Sequence, residues 1–199
     1  MCDFEKIHSF ILDQSTEFPY INNLFKRNGI LTINRNETKF YDFIFKTIIS
    51  QQISFKASKS IWDKVESFIN NQKINLIESI DDEIVFETIQ RMGISLRKMN
   101  YILDFKNNNP EINSQKEYFR NLSEIDFKTI FKENKGIGNW TCDMIQIFYF
   151  RNLNVWPNSD LIIEKILNDI KKKEKRFDLK KRFFPYLSIV ALHFWKYID

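Results

Sequence analysis

The sequence predicts an all-α protein, and three observations carry that prediction. Glycine and proline are rare, with four of each in 199 residues, which argues against the turn-rich chain of an all-β fold. Apolar residues recur at helical spacing through most of the chain, and 43% of all residues are hydrophobic, enough for a sizeable core. Strand-like alternation is confined to the short run 30–33, so helices should dominate.

Candidate helix boundaries follow one another along the chain. A serine or aspartate just before an apolar-periodic run is an N-cap signal, and an acid three residues later strengthens it. These signals predict N-caps at Ser54, Asp82, Ser95, Ser114 and Ser123, with Glu117 and Asp126 as the acids after the last two, and a helix stop at Gly93.

The most informative stretch is a glycine hairpin, residues 135–142 (KGIGNWTC), between two helical patterns at 124–133 and 139–150. Glycine allows positive φ and close backbone approach, and a helix that starts at once presents N–H groups suited to a phosphate. One acid, Asp160, follows 22 residues after Gly138. With Asn158 or Ser159 as the cap, Asp160 should occupy a first helical turn, where the dipole favours a carboxylate. A phosphate clamp and one isolated acid indicate an enzyme that acts on nucleic acid.

Composition narrows the function classes. The net charge is +4 with a pI near 8.9, which fits a nucleic-acid partner but equally fits codon bias towards Lys and Asn. Two cysteines and two histidines exclude a four-cysteine iron–sulfur cluster within this chain and suggest no metal site. The N-terminus lacks a signal-peptide core, and no apolar run approaches the ~18 residues of a membrane helix. We expect an intracellular monomer, associated with DNA in a prokaryotic cytoplasm or a nucleus, with no membrane partner.

Four ordered segments resemble the helix-hairpin-helix DNA glycosylases, and among them the 3-methyladenine DNA glycosylase II family of alkylation repair. The likeness spans about residues 40–197, and the segments are 48–57 (IISQQISFKA), 93–102 (GISLRKMNYI), the hairpin with its flanks at 130–147, and 185–195 (PYLSIVALHFW). The chain departs from the family pattern at Ser159, where a second acid is common, at Leu187, where arginine is common, and at Cys142, where alanine is common.

The resemblance implies a two-lobed helical fold with the active site in the cleft between the lobes. We expect residues 1–199 to form a single glycosylase domain with interleaved lobes. One lobe would span about 40–106, and the other about 1–39 with 110–199, carrying the hairpin 134–142 and Asp160.

The resemblance also implies an activity, the hydrolysis of the N-glycosidic bond of a flipped alkylated base such as 3-methyladenine. Asp160 would stabilise the oxocarbenium-like transition state. Trp140 occupies the position where relatives with lyase activity carry a catalytic lysine, so the enzyme should be monofunctional. Rival interpretations are the same scaffold acting on uracil, hypoxanthine or 7-methylguanine, and a non-catalytic lesion-binding module.

The remaining site residues follow from the same resemblance. Gln52 would fill the gap left by the flipped base, or else satisfy backbone groups in its turn. Trp140, Met144 and Trp195 would line the base pocket, although an aromatic such as Trp195 serves equally well in a core. No cofactor is expected, apart from a monovalent cation that the hairpin carbonyls could bind. The predicted DNA contacts are Lys135, Gly136, Ile137, Gly138, Asn139 and Thr141.

Overall fold

The computed structural model describes residues 3–174 and 178–198, and the regular secondary structure in this part of the chain is all helical, without a strand. The run 30–33, where the sequence showed strand-like alternation, has no regular secondary structure. No helix in the described residues is both long enough and apolar enough to cross a membrane. The helices are α1 (Phe4–Gln14), α2 (Pro19–Asn28), α3 (Phe40–Ser50), α4 (Phe55–Gln72), α5 (Leu76–Ser79), α6 (Glu83–Gln90), α7 (Leu96–Asn108), α8 (Lys116–Arg120), α9 (Glu124–Phe131), α10 (Asn139–Met144) continued by a π-helical segment (Ile145–Tyr149), α11 (Leu161–Lys173), α12 (Leu179–Phe183) and α13 (Leu187–Ile198).

Local capping signals in the sequence located four of these helix starts. The side chains of Ser54, Asp82, Ser95 and Ser123 each accept a hydrogen bond from a backbone N–H in the first turn of α4, α6, α7 and α9. The cap predicted at Ser114 is wrong. Its hydroxyl donates to the carbonyl of Glu111 (2.8 Å) inside a run of turns, and α8 begins two residues later.

Contacts divide the chain into two compact units: unit 1 comprises Met1–Asn36 with Gln146–Asp199, and unit 2 comprises Glu37–Ile145. Unit 1 is therefore built from both ends of the chain. The division differs from the lobes expected from the sequence, because the segment that carries the hairpin groups with the residues before it. The hairpin helix α10 packs on α9 and α3, which accounts for the grouping.

The core of unit 2 is a cluster of phenylalanines around α3. Phe127 and Phe131 stack with ring centroids 4.1 Å apart, and Phe119 meets Phe131 edge-on at 5.0 Å. Phe40 and Phe105 extend the cluster. Offset and edge-on pairs of this kind stabilise a core beyond the burial of their area, so α9 and the hairpin that follows it rest on a rigid base.

The core of unit 1 centres on α13, which contacts α2, α11 and α12. His193 lies inside this core with its side chain fully buried. Its ring stacks on His8 at 5.9 Å and meets Phe25 edge-on at 4.9 Å, and neither ring nitrogen has a hydrogen-bond partner among the described residues. His193 is therefore a core residue.

The buried His193 predicts a loss of stability in acid. Burial, assisted by His8 and Lys196, lowers the pKa of His193 from 6.5 to about 3. At pH values between 6.5 and 3, His193 binds a proton in the unfolded chain but not in the folded protein. The free energy of unfolding therefore falls as the pH drops below about 6.5. We expect His193→Phe to lose less stability between pH 7 and pH 5 than the wild type in chemical denaturation. Burial raises the pKa of Asp42 to about 6, so protonation of Asp42 increases the free energy of unfolding in acid. This contribution is the same in the wild type and in His193→Phe and cancels in the comparison. An identical loss in the two proteins would contradict the assignment.

Candidate nucleic-acid interface and candidate catalytic aspartate

The hairpin at 134–142 joins α9 to α10 within unit 2 and is held from its inner side. Asn134 is buried, and its Oδ1 accepts a hydrogen bond from Nδ2 of Asn109 (2.8 Å). The amide of Ile137 donates to the carbonyl of Asn134 (3.1 Å), and the Ile137 side chain is buried. The outward residues of the turn are Lys135, Gly138 and Asn139, all exposed.

The first hairpin glycine, Gly136, is required by the protein's own structure. Its φ is +80°, in the region that side chains with a Cβ rarely adopt. A Cβ at Gly136 would also lie 2.9 Å from Cβ of Tyr101 and closer still to its ring. Tyr101 belongs to α7, so Gly136 is the point at which the hairpin packs on that helix.

The second glycine, Gly138, has no such requirement. Its φ of −108° and ψ of −176° suit any residue, and a Cβ there would meet no atom of the described residues within 4 Å. Gly138 is the N-cap residue of α10, a position where serine or aspartate would normally serve better. The described part of the fold therefore gives no reason for glycine at Gly138, and its contact with DNA stays a prediction.

Gln51 connects the hairpin to the end of α3, a role that sequence reasoning missed. Its Nε2 donates to the carbonyl of Gly136 (2.8 Å) and to Oγ1 of Thr141 (2.9 Å). Thr141 is buried, so this hydroxyl supports the hairpin from inside. Because these bonds go to the hairpin and not to the turn that contains Gln52, both roles considered for Gln52 stay predictions.

Gln52 lies at the tip of the turn between α3 and α4, exposed and with a φ of +57°. Backbone strain of this kind persists only where the surroundings impose it. Lys98 imposes it here: its Nζ donates to the carbonyls of Ile49 and Gln51, each at 2.7 Å. Burial, with a smaller effect from Arg97, lowers the pKa of Lys98. The side chain of Gln52 is thereby held away from the protein.

The helix after the hairpin combines a half-buried tryptophan with a buried polar pair. Trp140 is half-buried and Met144 is buried, both on α10. Asp143, also buried, pairs with Nζ of Lys128 at 2.6 Å. Burial alone would lower the pKa of Lys128, but hydrogen bonds to Asp143 and Glu124 leave that pKa raised. The ion pair between Lys128 and Asp143 links α9 to α10. The role of Trp140 and Met144 in a base pocket stays a prediction.

Asp160 is the N-cap of α11, in unit 1. Its Oδ1 accepts hydrogen bonds from the amides of Ile162 and Ile163, each at 3.0 Å, and its side chain is 7% exposed. The expectation that Asn158 or Ser159 would cap this helix, with Asp160 inside the first turn, is wrong. The helix begins one residue after Asp160, so the carboxylate itself receives the first N–H groups, which fix its orientation.

Trp195 lies on α13 in unit 1, half-buried, with its ring 5.7 Å from that of Phe148. A core role and a pocket role are both compatible with this placement, so the pocket role stays a prediction. The structure thus brings Gln51, Gln52 and the hairpin together in unit 2. Asp160 and Trp195 are residues of unit 1.

No group of three or more histidine, cysteine, aspartate or glutamate side chains in the described residues could hold a metal ion. Cys142 is fully buried, and burial raises the pKa of its thiol to about 12, so it packs as an apolar residue. Of the hairpin carbonyls considered for a cation, that of Gly136 already accepts the Gln51 hydrogen bond. The cation stays a prediction.

The all-helical fold, the two-glycine hairpin and the aspartate that caps α11 are the features expected of a DNA glycosylase scaffold, and comparison with known proteins supports that fold. The structure superposes on a Schizosaccharomyces pombe 3-methyladenine DNA glycosylase in complex with abasic DNA with a TM-score of 0.78. That alignment has 24% identity and covers 96% of this chain and 95% of the other. No protein-family model matches the chain.

Two curated relatives extend the comparison to sequence. DNA-3-methyladenine glycosylase 1 of Schizosaccharomyces pombe is 28% identical over 163 residues, covering 78% of this chain and 71% of the relative. The DNA-3-methyladenine glycosylase of Saccharomyces cerevisiae is 27% identical over 193 residues, covering 87% of this chain and 64% of the relative. The chain is thus similar in sequence to 3-methyladenine DNA glycosylases and shares its fold with one of them.

Proposed function

We propose that the protein is a monofunctional base-excision-repair glycosylase that hydrolyses the N-glycosidic bond of alkylated bases, 3-methyladenine first, in double-stranded DNA. The relatives named above support the substrate class. The proposed partner is duplex DNA containing a damaged base, bound by a monomer.

The observation that carries the proposal is the contrast between the two hairpin glycines. Gly136 is needed for the turn and for packing on Tyr101, whereas nothing in the protein needs glycine at Gly138. A DNA phosphate approaching the amides at the start of α10 supplies the missing reason, since a Cβ at Gly138 would stand in its path.

Charge distribution supports a contact made by backbone dipoles. Unit 2, which carries the hairpin, has 15 Lys and Arg against 16 Asp and Glu, whereas unit 1 has 15 against 10. Phosphate binding at the hairpin therefore depends on oriented amides, with exposed Lys135 as a local cation. Contacts of this kind carry no sequence information, which suits an enzyme that scans DNA.

Asp160 would act on the glycosidic bond once the nucleotide has left the stack. Bond cleavage develops positive charge on the sugar, and a fixed carboxylate stabilises that charge or directs water to it. An alkylated purine with a positive charge is already a good leaving group, so one acid suffices. Trp140, Met144 and Trp195 would bind the base, with a cation–π contribution of about 0.5–2 kcal/mol from a tryptophan. Gln52 would occupy the gap.

The test is single-turnover incubation of excess protein with a duplex carrying 3-methyladenine. We expect free base and an abasic strand that stays intact until it is treated with alkali. Strand cleavage without treatment would contradict monofunctional hydrolysis. If no 3-methyladenine is released, a panel of uracil, hypoxanthine and 7-methylguanine duplexes separates another substrate base from a lesion-binding module, which would bind an abasic duplex and release nothing.

A further inference from the structure

The segment that leads to Asp160 has no regular secondary structure, yet it must place a carboxylate accurately. It spans 150–160, between the π-helical segment and α11. A catalytic group that is misplaced by about 1 Å can lose a hundredfold in rate. The bonds that fix this segment therefore matter for any chemistry at Asp160.

Ser188, in the first turn of α13, holds the start of this segment at three points. Its Oγ donates to the carbonyl of Asn152 (2.6 Å) and accepts a hydrogen bond from the amide of Val155 (3.0 Å). Its backbone amide donates to the carbonyl of Leu153 (2.9 Å). Ser188 is fully buried, and its bond with the amide of Val155 is buried as well.

Ring contacts and backbone hydrogen bonds also hold the part of the segment between Val155 and Asp160. Trp156 is buried and meets Phe194 of α13 edge-on at 5.7 Å. The amide of Asn158 donates to the carbonyl of Trp156 (2.9 Å), and that of Asp160 donates to the carbonyl of Pro157 (3.1 Å). Helix α11, which Asp160 caps, packs on α13 as well. One helix thus supports both ends of the segment.

We propose that Ser188 is a positioning residue for Asp160, an inference that rests on the proposed function. The serine in the PYLS motif of the sequence acquires a role in this way: its hydroxyl fixes the segment that aims the carboxylate. Ser188→Ala keeps the backbone bond to Leu153 but leaves the Asn152 carbonyl and the Val155 amide without their buried partner. The segment then relaxes, and Asp160 is positioned from the side of α11 alone, which defines its place less accurately.

The experiment compares Ser188→Ala with a matched control, Val190→Ala, which removes a fully buried apolar side chain from the same helix. Single-turnover release of 3-methyladenine at saturating protein should fall by roughly ten- to a hundredfold in Ser188→Ala and by much less in Val190→Ala. The Kd for a duplex with a neutral tetrahydrofuran abasic analogue should stay within about twofold in both.

A second measurement reports on Asp160 itself. A duplex carrying a protonated pyrrolidine in place of the sugar imitates the charge of the transition state, so the ratio of its Kd to that of the tetrahydrofuran duplex measures the carboxylate's effect. We expect the preference for the cation to fall by roughly tenfold in Ser188→Ala and to persist in Val190→Ala. It should also persist in Ser188→Thr, which retains the hydroxyl and tests the proposal even if the alanine variant folds poorly.

The positioning role would be overturned if Ser188→Ala released 3-methyladenine and preferred the cationic duplex as the wild type does. It would also be overturned if Val190→Ala lost as much base release and cation preference as Ser188→Ala. Absence of base release and of cation preference in the wild type would overturn the proposed function instead. The two failures are therefore distinguishable.

Discussion

Asp160→Asn is expected to lower the single-turnover rate of base release by at least about a hundredfold, the range for removing one preorganised electrostatic stabiliser. The substitution removes the negative charge of the acid that we propose acts on the glycosidic bond. The asparagine amide can hydrogen-bond to DNA but cannot balance the positive charge of an oxocarbenium-like sugar.

The capping geometry makes asparagine the informative replacement. Asp160 uses Oδ1 to accept the amides of Ile162 and Ile163, and an asparagine oxygen can accept the same two bonds, since asparagine is as good an N-cap as aspartate. Asp160→Ala would instead lose the cap, a cost of about 0.5–2 kcal/mol, and would mix instability with lost chemistry.

The measurement is therefore release of 3-methyladenine alongside thermal unfolding and binding to an abasic duplex. Asp160→Asn should unfold within a few degrees of the wild type and bind the abasic duplex at least as well, because a carboxylate near a phosphate backbone weakens binding. Release by Asp160→Asn at the wild-type rate would remove Asp160 from the mechanism.

The helix starts that the sequence predicted correctly are those with short-range signals. The N-caps at Ser54, Asp82, Ser95 and Ser123 depend on a side chain and an amide three residues away, and all four occur. The failure at Ser114 has the same local origin, because a competing turn to Glu111 used the hydroxyl. The cap at Asp160 was displaced by one or two residues because Asn158, Ser159 and Asp160 are all good caps and only tertiary packing decides where the helix begins.

The parts that sequence could not predict depend on distant partners. Gln51 and Gln52 are adjacent and identical in type, and the choice between supporting the hairpin and facing outward is made by Gly136, 85 residues further on. Lys98 fixes the same turn from 47 residues away. Ser188 acts on a segment more than 30 residues earlier. Side-chain bonds of this kind leave no periodicity in the sequence.

The second prediction separates the two hairpin glycines by replacing each with alanine. We expect Gly136→Ala to destabilise the protein and Gly138→Ala to weaken DNA binding without doing so. In Gly136→Ala the positive φ costs about 1–2 kcal/mol, and the Cβ that presses on Tyr101 adds about 1–3 kcal/mol of overpacking. For a chain of this length the sum corresponds to a fall in Tm of roughly 4–20 °C.

In Gly138→Ala two small effects on folding oppose each other. Alanine is a poorer N-cap than glycine, but it lowers the entropy of the unfolded chain, which stabilises by about 0.4–1 kcal/mol. The new Cβ meets no atom of the protein, so Tm should change by only a few degrees.

The effect of Gly138→Ala should instead be on the DNA complex. Its Cβ projects where we place a backbone phosphate, and hydrogen bonds to a charged group contribute about 1.5–3 kcal/mol each. Loss of one raises the Kd for an abasic duplex by roughly ten- to a hundredfold. Calorimetric unfolding and fluorescence anisotropy on the two variants measure both quantities side by side. If Gly138→Ala binds DNA as the wild type does, no phosphate approaches that glycine, and the central argument for the hairpin as the DNA contact fails. If both variants unfold, the proposed difference between the two glycine positions is wrong.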